Sequence, residues 1–387
     1  ANALMGDAMP SPYPDFPAST PAVEIDLDAV RANFRTLKSA APAAEISAVV
    51  KCDAYGLGAM AVARTLAAFE QCRTFFVAYP HEGVDLRSAL GDLAPNAKIY
   101  VFNGPSAETL SAFEEGALTP VINSREQARL WAGARPGAVA ALHVDTGMNR
   151  LGANERELSD IAATRGLKIG LVMSHLACGF DPGHDMNRRQ HLAFEKACAE
   201  FPGVKRSLSA SAGAFMGPAY HYDLIRPGIA IYGAGPFDRP DPRLKPVARL
   251  VAPVVQLRQA KAGESAGYGA ACTFRKDARL ATVALGYGDG FLRTGSEKGA
   301  AFVGGALCPI AGRISMDLII LDVTNAPQPI EIGDKAEFFG PQHPIEDAAE
   351  AAGTIAYELL TGLGARLHRR YLLDGRPVEP DAVGAAA

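Results

Sequence analysis

Short apolar runs alternate with charged, helix-spaced stretches through the first two-thirds of the chain. The runs cover residues 46–51, 74–79, 98–103, 118–123, 139–145, 168–175, 206–211 and 223–227, each the length of one buried strand. Between them lie Ala- and Leu-rich segments with charges at helical spacing, such as 124–134 and 187–200. Eight β/α units in about 220 residues match the arithmetic of a (β/α)8 barrel. A doubly wound sheet is the alternative, because periodicity does not distinguish a closed sheet from an open one. After Tyr232 the texture changes, and four prolines between Gly235 and Pro246 read as a linker. Beyond it, alternating runs at 249–258, 279–285, 307–311, 314–323 and 335–339 are separated by turn glycines, which predicts a mainly β domain. Only 354–363 reads as a helix there. The expected organisation is a tail over 1–21, a barrel over 22–245 and a β domain over 246–387.

Composition narrows the function classes. A chain of 387 residues, 48% hydrophobic and 21% charged, has the balance of a globular protein with two cores. Net charge is −4 with no block of like sign, which argues against a nucleic-acid grip or a polybasic membrane patch. No apolar run reaches the roughly 20 residues of a membrane span. Six cysteines (Cys52, Cys72, Cys178, Cys198, Cys272, Cys308) form no C-x-x-C pair and read as reduced thiols. His184 and His191 lack metal-ligand spacing, so no metal is predicted. The Ala-, Pro- and Ser-rich start lacks the basic-then-apolar order of a signal peptide, so a cytoplasmic location is expected.

The most informative segment is Ala48-Val-Val-Lys51-Cys52-Asp53-Ala54-Tyr55-Gly56-Leu57-Gly58, an apolar strand ending in a lysine and a Tyr- and Gly-containing turn. A lysine at the C-terminal end of a barrel strand lies at the mouth, where such folds place catalysis. Desolvation there lowers its pKa, and a neutral amine can form an imine with an aldehyde. From the residues alone, a strand-end lysine reaching to solvent stays open as the other reading.

The segment resembles the cofactor-lysine motif of alanine racemases, AVVKADAYGHG. Asp145-Thr-Gly-Met-Asn-Arg150-Leu-Gly resembles the family's DTGMxRLG, and Leu224-Ile-Arg226-Pro-Gly228-Ile229 its VRPGI segment. Ala266-Gly-Tyr268-Gly is similar to SYG, Gly286-Tyr287-Gly-Asp-Gly290 to GYADG, Gly312-Arg-Ile-Ser-Met316-Asp317 to GRVCMDQ, and Thr354-Ile-Ala-Tyr357-Glu358 to TxxYE. The resemblance runs in order from residue 48 to residue 358. It implies an N-terminal (β/α)8 TIM-type barrel plus a C-terminal mainly β domain. It also implies pyridoxal 5'-phosphate (PLP) held on Lys51 as a Schiff base, and a head-to-tail homodimer with shared active sites. The implied activity is interconversion of L- and D-alanine, supplying D-alanine for cell wall or degrading it.

The resemblance also assigns roles. Tyr55, Ser211, Gly228, Ile229 and Tyr357 would hold the PLP phosphate, Gly228 and Ile229 opening a short apolar helix after the eighth run. Arg226 would face the pyridine nitrogen; a guanidinium keeps its proton and leaves the ring a poorer electron sink than an aspartate would. Lys51 and the partner's Tyr268 would be the two bases, with His175 passing positive charge from Arg226 to lower the tyrosine's pKa. Arg150, Met316, Asp317 and Tyr287 would line the substrate, Arg150 pairing with its carboxylate.

Three positions depart from the pattern. His143 stands where many members carry a carbamylated lysine, Leu57 replaces a histidine, and Ala210 replaces the asparagine before the phosphate serine. The competing functions are a broad-specificity or serine racemase on the same fold, a PLP-dependent decarboxylase, and a non-catalytic PLP-binding protein. Arg226 argues against the decarboxylase and the Tyr268 segment against the single-barrel binding protein.

Overall fold

The structure is a computed structural model that describes residues 20–384. The tail expected over 1–21 therefore lies almost wholly outside the described residues. The chain divides into two compact units, residues 27–245 with 373–384 and residues 20–26 with 246–372.

The first unit is a parallel barrel. Its strands are β1 (Glu45–Ile46 and Ala48–Val49, one run interrupted at Ser47), β2 (Thr74–Val77), β3 (Lys98–Val101), β4 (Thr119–Ile122), β5 (Val139–His143), β6 (Lys168–Met173), β7 (Lys205–Ser207) and β8 (Leu224–Ile225). Seven of them, β1 through β7, pair in sequence order. The ring closes through β8. On one side Asp223 N–H donates to Arg206 O and Arg226 N–H to Ser209 O; on the other, Ser47 N–H donates to Ile225 O and Val49 N–H to Pro227 O. This closure excludes the doubly wound alternative. The strands read as unbroken apolar runs because both faces are covered: all four residues of β2 are buried.

The covering helices are α1 (Leu27–Ala40), α2 (Ala59–Phe69), α3 (Pro80–Leu90), α4 (Leu110–Glu115), α5 (Arg125–Ala134), α6 (Glu155–Ala162) and α7 (Asp185–Cys198). In α1 the buried positions Leu27, Val30, Phe34 and Leu37 make one apolar stripe. Local signals start α5 and α6: Ser124 Oγ accepts Gln127 N–H, and Asn154 with Glu157 forms a capping box.

The second unit is built on one long strand, β9 (Ala248–Ala260). It pairs antiparallel with Ala22–Asp26 and with Lys335–Phe339 at one end and with Ala278–Val283 at the other, a register shift between Val254 and Gln256 marking the change of sheet. Two boundaries differ from the sequence reading. Residues 22–26, expected in the barrel domain, pair in this sheet because Val23 and Ile25 need burial and find it between β9 and the parallel strand His368–Leu373. Residues 373–384 return to the barrel unit, where Arg64 Nε donates to Val383 O at 2.9 Å. A helix over Ile345–Ala352 precedes the expected last helix, which spans Ala356–Thr361. No helix among the described residues is long and apolar enough to cross a membrane.

Candidate active site

Lys51 follows β1 directly, and the backbone after it is unusual. Cys52, Asp53, Ala54 and Tyr55 have φ between 51° and 58° and ψ between 38° and 51°, one turn of left-handed helix. L-residues carry a penalty of roughly 1–2 kcal/mol each in this region, so the turn persists only where its surroundings dictate it. Ala54 N–H donates to Val50 O, Gly58 N–H to Asp53 O, Ala59 N–H to Asp53 Oδ1 at 2.7 Å and Cys52 N–H to Glu82 Oε1 at 2.6 Å. Lys51 is half-buried, with Nζ 5.6 Å from the centre of the Phe102 ring. Desolvation pulls its amine below the usual lysine range and Arg150 adds to this, against the opposing influence of Cys52 and Glu82.

Tyr55 is turned inward onto the segment after β8. A Cβ on Gly228 would lie 2.2 Å from Tyr55 Oη, so only glycine admits the phenol at this place. The Tyr55 ring lies 4.8 Å from that of Tyr232, whose hydroxyl donates to Val49 O at 2.7 Å. Ser211 Oγ accepts Gly228 N–H at 3.0 Å and Ala230 N–H at 3.2 Å. Between those two amides, the buried Ile229 N–H meets no acceptor among the described residues. The short apolar helix expected here is instead a run of tight turns, with Ile231 N–H to Gly228 O and Tyr232 N–H to Ile229 O. A buried N–H in want of an acceptor, beside neutral hydroxyl donors, suits a phosphate.

Arg226 is 2% exposed, and Nη1 donates to Ser207 O and Oγ while Nη2 donates to Ser174 O. No carboxylate pairs with it among the described residues. Burial pushes the guanidinium down to about 9, so it remains charged at neutral pH.

His143 ends β5 and is buried, its Nδ1 3.0 Å from Asn123 Oδ1. Asn123 Nδ2 donates to Phe102 O and Val121 O, which assigns Oδ1 as the acceptor and puts the imidazole proton on Nδ1. Desolvation, then Arg226, pushes the ring down to about 4, so it is neutral and Nε2 carries a lone pair. His175 is also held neutral, by desolvation first and then by Arg226 and Arg150. Both rings feel the positive charges of Arg226 and Arg150.

Arg150 is carried on a loop that Asp145 shapes, Oδ1 accepting the amides of Gly147, Met148 and Asn149. Val144 and Ala153 bridge its base. The Arg150 guanidinium is exposed and pairs with no carboxylate among the described residues.

The β unit carries the remaining candidates. Tyr268 sits on a tight turn between Ser265–Ala266 and Cys272–Thr273 and is 72% exposed, with no hydrogen-bond partner for its hydroxyl among the described residues. Tyr287, Met316 and Tyr357 are likewise exposed. Tyr287 and Met316 are joined through backbone: Tyr287 N–H donates to Ser315 O and Gly288 N–H to Met316 O. The exposed Asp317 carboxylate accepts Arg366 Nη1 at 2.8 Å. Arg366 Nε reaches the buried Asp289 at 2.8 Å, and Asp289 Oδ2 caps Gly286 N–H. Arg366 and Asp289 thus brace the Tyr287 turn. They were not singled out in the sequence, where a lone arginine after the last helix carries no signal of its partners. Ser174, Ser207, Asn123, Tyr232 and Glu82 escaped for the same reason.

Comparison with known proteins places these residues in context. The family models for the alanine racemase N-terminal domain and C-terminal domain match residues 25–236 and 247–371. A catabolic alanine racemase of Agrobacterium fabrum is 46% identical over 363 residues, 91% of this chain and 92% of the relative. The alanine racemase of Rhizobium meliloti is 42% identical over 378 residues, 93% of this chain and 98% of its own. Among solved structures, alanine racemase from Bartonella henselae with covalently bound pyridoxal phosphate gives a TM-score of 0.85 at 37% identity, covering 91% of this chain and 99% of that one. The biosynthetic alanine racemase of Pseudomonas aeruginosa gives 0.84 at 33%, covering 92% and 99%. Because the likeness runs through both units and past each group of candidate residues, the chain belongs to the alanine racemase family.

Proposed function

We propose that the protein is a PLP-dependent alanine racemase that interconverts L- and D-alanine by a two-base mechanism across a homodimer. The observation that carries this reading is Arg226, a buried guanidinium held by Ser207 and Ser174 with no carboxylate paired to it among the described residues. It shares a barrel mouth with a desolvated lysine and a cradle of neutral donors. PLP, when bound, supplies an aldehyde for an amine and an electron-withdrawing ring that acidifies the substrate's Cα–H. Ser211, Tyr55 and the amides of Gly228 and Ile229 would hold its phosphate, with Tyr357 adding a phenol. Arg226 would donate to the ring nitrogen and keep its own proton, which restrains charge delocalisation and suits a racemase better than a decarboxylase.

Lys51, its proton affinity lowered by burial, takes or returns a proton at Nζ on one face of the substrate. On the other face the phenol of the partner subunit's Tyr268 does so at Oη. The exposure of Tyr268, Tyr287 and Met316 supports this arrangement, since such residues gain a function only against a second surface. Arg150, which pairs with no carboxylate among the described residues, would pair with the substrate's; the Met316 amide would touch the same group. Tyr287 and Tyr357 would crowd the space around the substrate Cβ and favour a methyl side chain. Proton transfer from either face is reversible, so the same site serves D-alanine supply or breakdown.

The direct test is D-alanine formation from L-alanine by the purified protein with PLP. Faster turnover of serine than of alanine would favour the broad-specificity alternative, and carbon dioxide release the decarboxylase. Shared sites have their own test. A Lys51→Ala chain mixed with a Tyr268→Phe chain should regain activity, because half of the sites in a heterodimer then keep both bases. No recovery despite proven subunit exchange would mean that each chain supplies both of its own bases.

A further inference from the structure

We propose that Glu82 is a positioning residue for this reaction, tying the left-handed turn after Lys51 to the start of α3 and so holding the lysine amine in the barrel mouth. The proposal rests on the reading of Lys51 as the reacting lysine. Glu82 is the third residue of α3, and half of its carboxylate does ordinary capping: Oε2 accepts Ala78 N–H at 2.8 Å and Tyr79 N–H at 3.0 Å. The other oxygen reaches a different strand end. Oε1 accepts Cys52 N–H at 2.6 Å, the first amide after Lys51 and the first residue in the left-handed region. Asp53 holds the far end of the same turn through Ala59 N–H, so two carboxylates clamp it at both ends. Hydrogen bonds to an ionised acceptor are about twice as strong as neutral ones, which is what a strained turn requires of its supports.

Charge gives the same residue a second effect. The groups acting on Lys51 are Cys52 on its own turn, Glu82 from α3 and Arg150 from the loop after β5, while His175 after β6 in turn feels Lys51. Among these Glu82 is the carboxylate, and its charge supports the protonated amine. Removing that charge therefore lowers the proton affinity of Lys51 and moves the acid limb of the pH profile to lower pH.

The test compares Glu82→Gln and Glu82→Asp in the holoenzyme. Glu82→Gln should raise amide hydrogen exchange in the segment 52–58, with the rest of the barrel unchanged. It should lower kcat roughly 10- to 100-fold with KM within about twofold, as expected of a misplaced catalytic group. Its acid limb should move to lower pH. Glu82→Asp keeps the charge on a shorter stem, so exchange and kcat should change in the same direction while the acid limb stays; it also serves if Glu82→Gln fails to fold. Unchanged exchange at 52–58, or a kcat loss accompanied by faster exchange across the whole barrel, would overturn the proposal. Failure of the underlying reading is distinguishable, because borohydride would then attach PLP to a lysine other than Lys51 whatever the state of residue 82.

Discussion

Lys51→Ala is expected to abolish racemisation and the absorbance of lysine-bound PLP together. The other lysines of the barrel unit begin strands (Lys98, Lys168, Lys205), lie on helices (Lys38, Lys196) or precede the second unit (Lys245). Only Lys51 lies where a barrel strand ends. On the proposed mechanism the substitution removes both the attachment point and one of the two bases. The loss in kcat should exceed the roughly 100- to 10,000-fold that acid–base help alone is worth. Folding should be spared, because Lys51 is half-buried and its ammonium pairs with no carboxylate among the described residues. A thermal melt within a few degrees of the parent protein would confirm that the defect is chemical. Borohydride reduction of the parent protein followed by peptide mapping should place the pyridoxyl group on Lys51. A pyridoxyl group on any other lysine would remove the foundation of the proposed mechanism.

Tyr268→Phe should have the second largest effect. The change deletes one oxygen from an exposed side chain that has no partner for its hydroxyl among the described residues, so stability should hold. By the resemblance, the tyrosine serves L-alanine and the lysine D-alanine, so transition-state stabilisation for L-alanine should fall by several kcal/mol, since a positioned acid–base group contributes roughly 100- to 10,000-fold. Net racemisation must slow equally in both directions, because a catalyst leaves the equilibrium where it was. The two faces separate in exchange with deuterated water. Washout of the α-hydrogen without inversion should persist for D-alanine, which Lys51 still serves, and collapse for L-alanine. Equal washout of both enantiomers would show one base working on both faces.

The barrel was legible because its strands are buried on both sides. Parallel strands so covered are unbroken apolar runs, and runs such as 74–79 and 98–103 stand out between helix-spaced stretches whatever the topology. The strand Ala22–Asp26 was misassigned for the complementary reason. It was placed with the barrel without being read as a strand, and a strand's partners are chosen by what it finds in space, here β9 and His368–Leu373. The helix Ile345–Ala352 was missed because its alanines carry little apolar contrast.

The candidate site divides along the same line. Sequence by itself determined the residue types that chemistry needs: a lysine at a strand end, an arginine ahead of a glycine turn, a tyrosine on a hairpin and a histidine where a charge is usual. Those identities are local, and short motifs preserve them. Tertiary structure alone decided how each group behaves. The direction of the Lys51 shift comes from burial and Arg150, and the placement of the Arg226 guanidinium from the carbonyls of Ser207 and Ser174. The neutrality of His143 and His175 follows from desolvation beside arginines, and the engagement of Asp317 from an arginine at 366. Protonation and hydrogen bonding depend on distance and solvent exclusion, which folding sets between residues far apart in the chain, and no local pattern of residues encodes them.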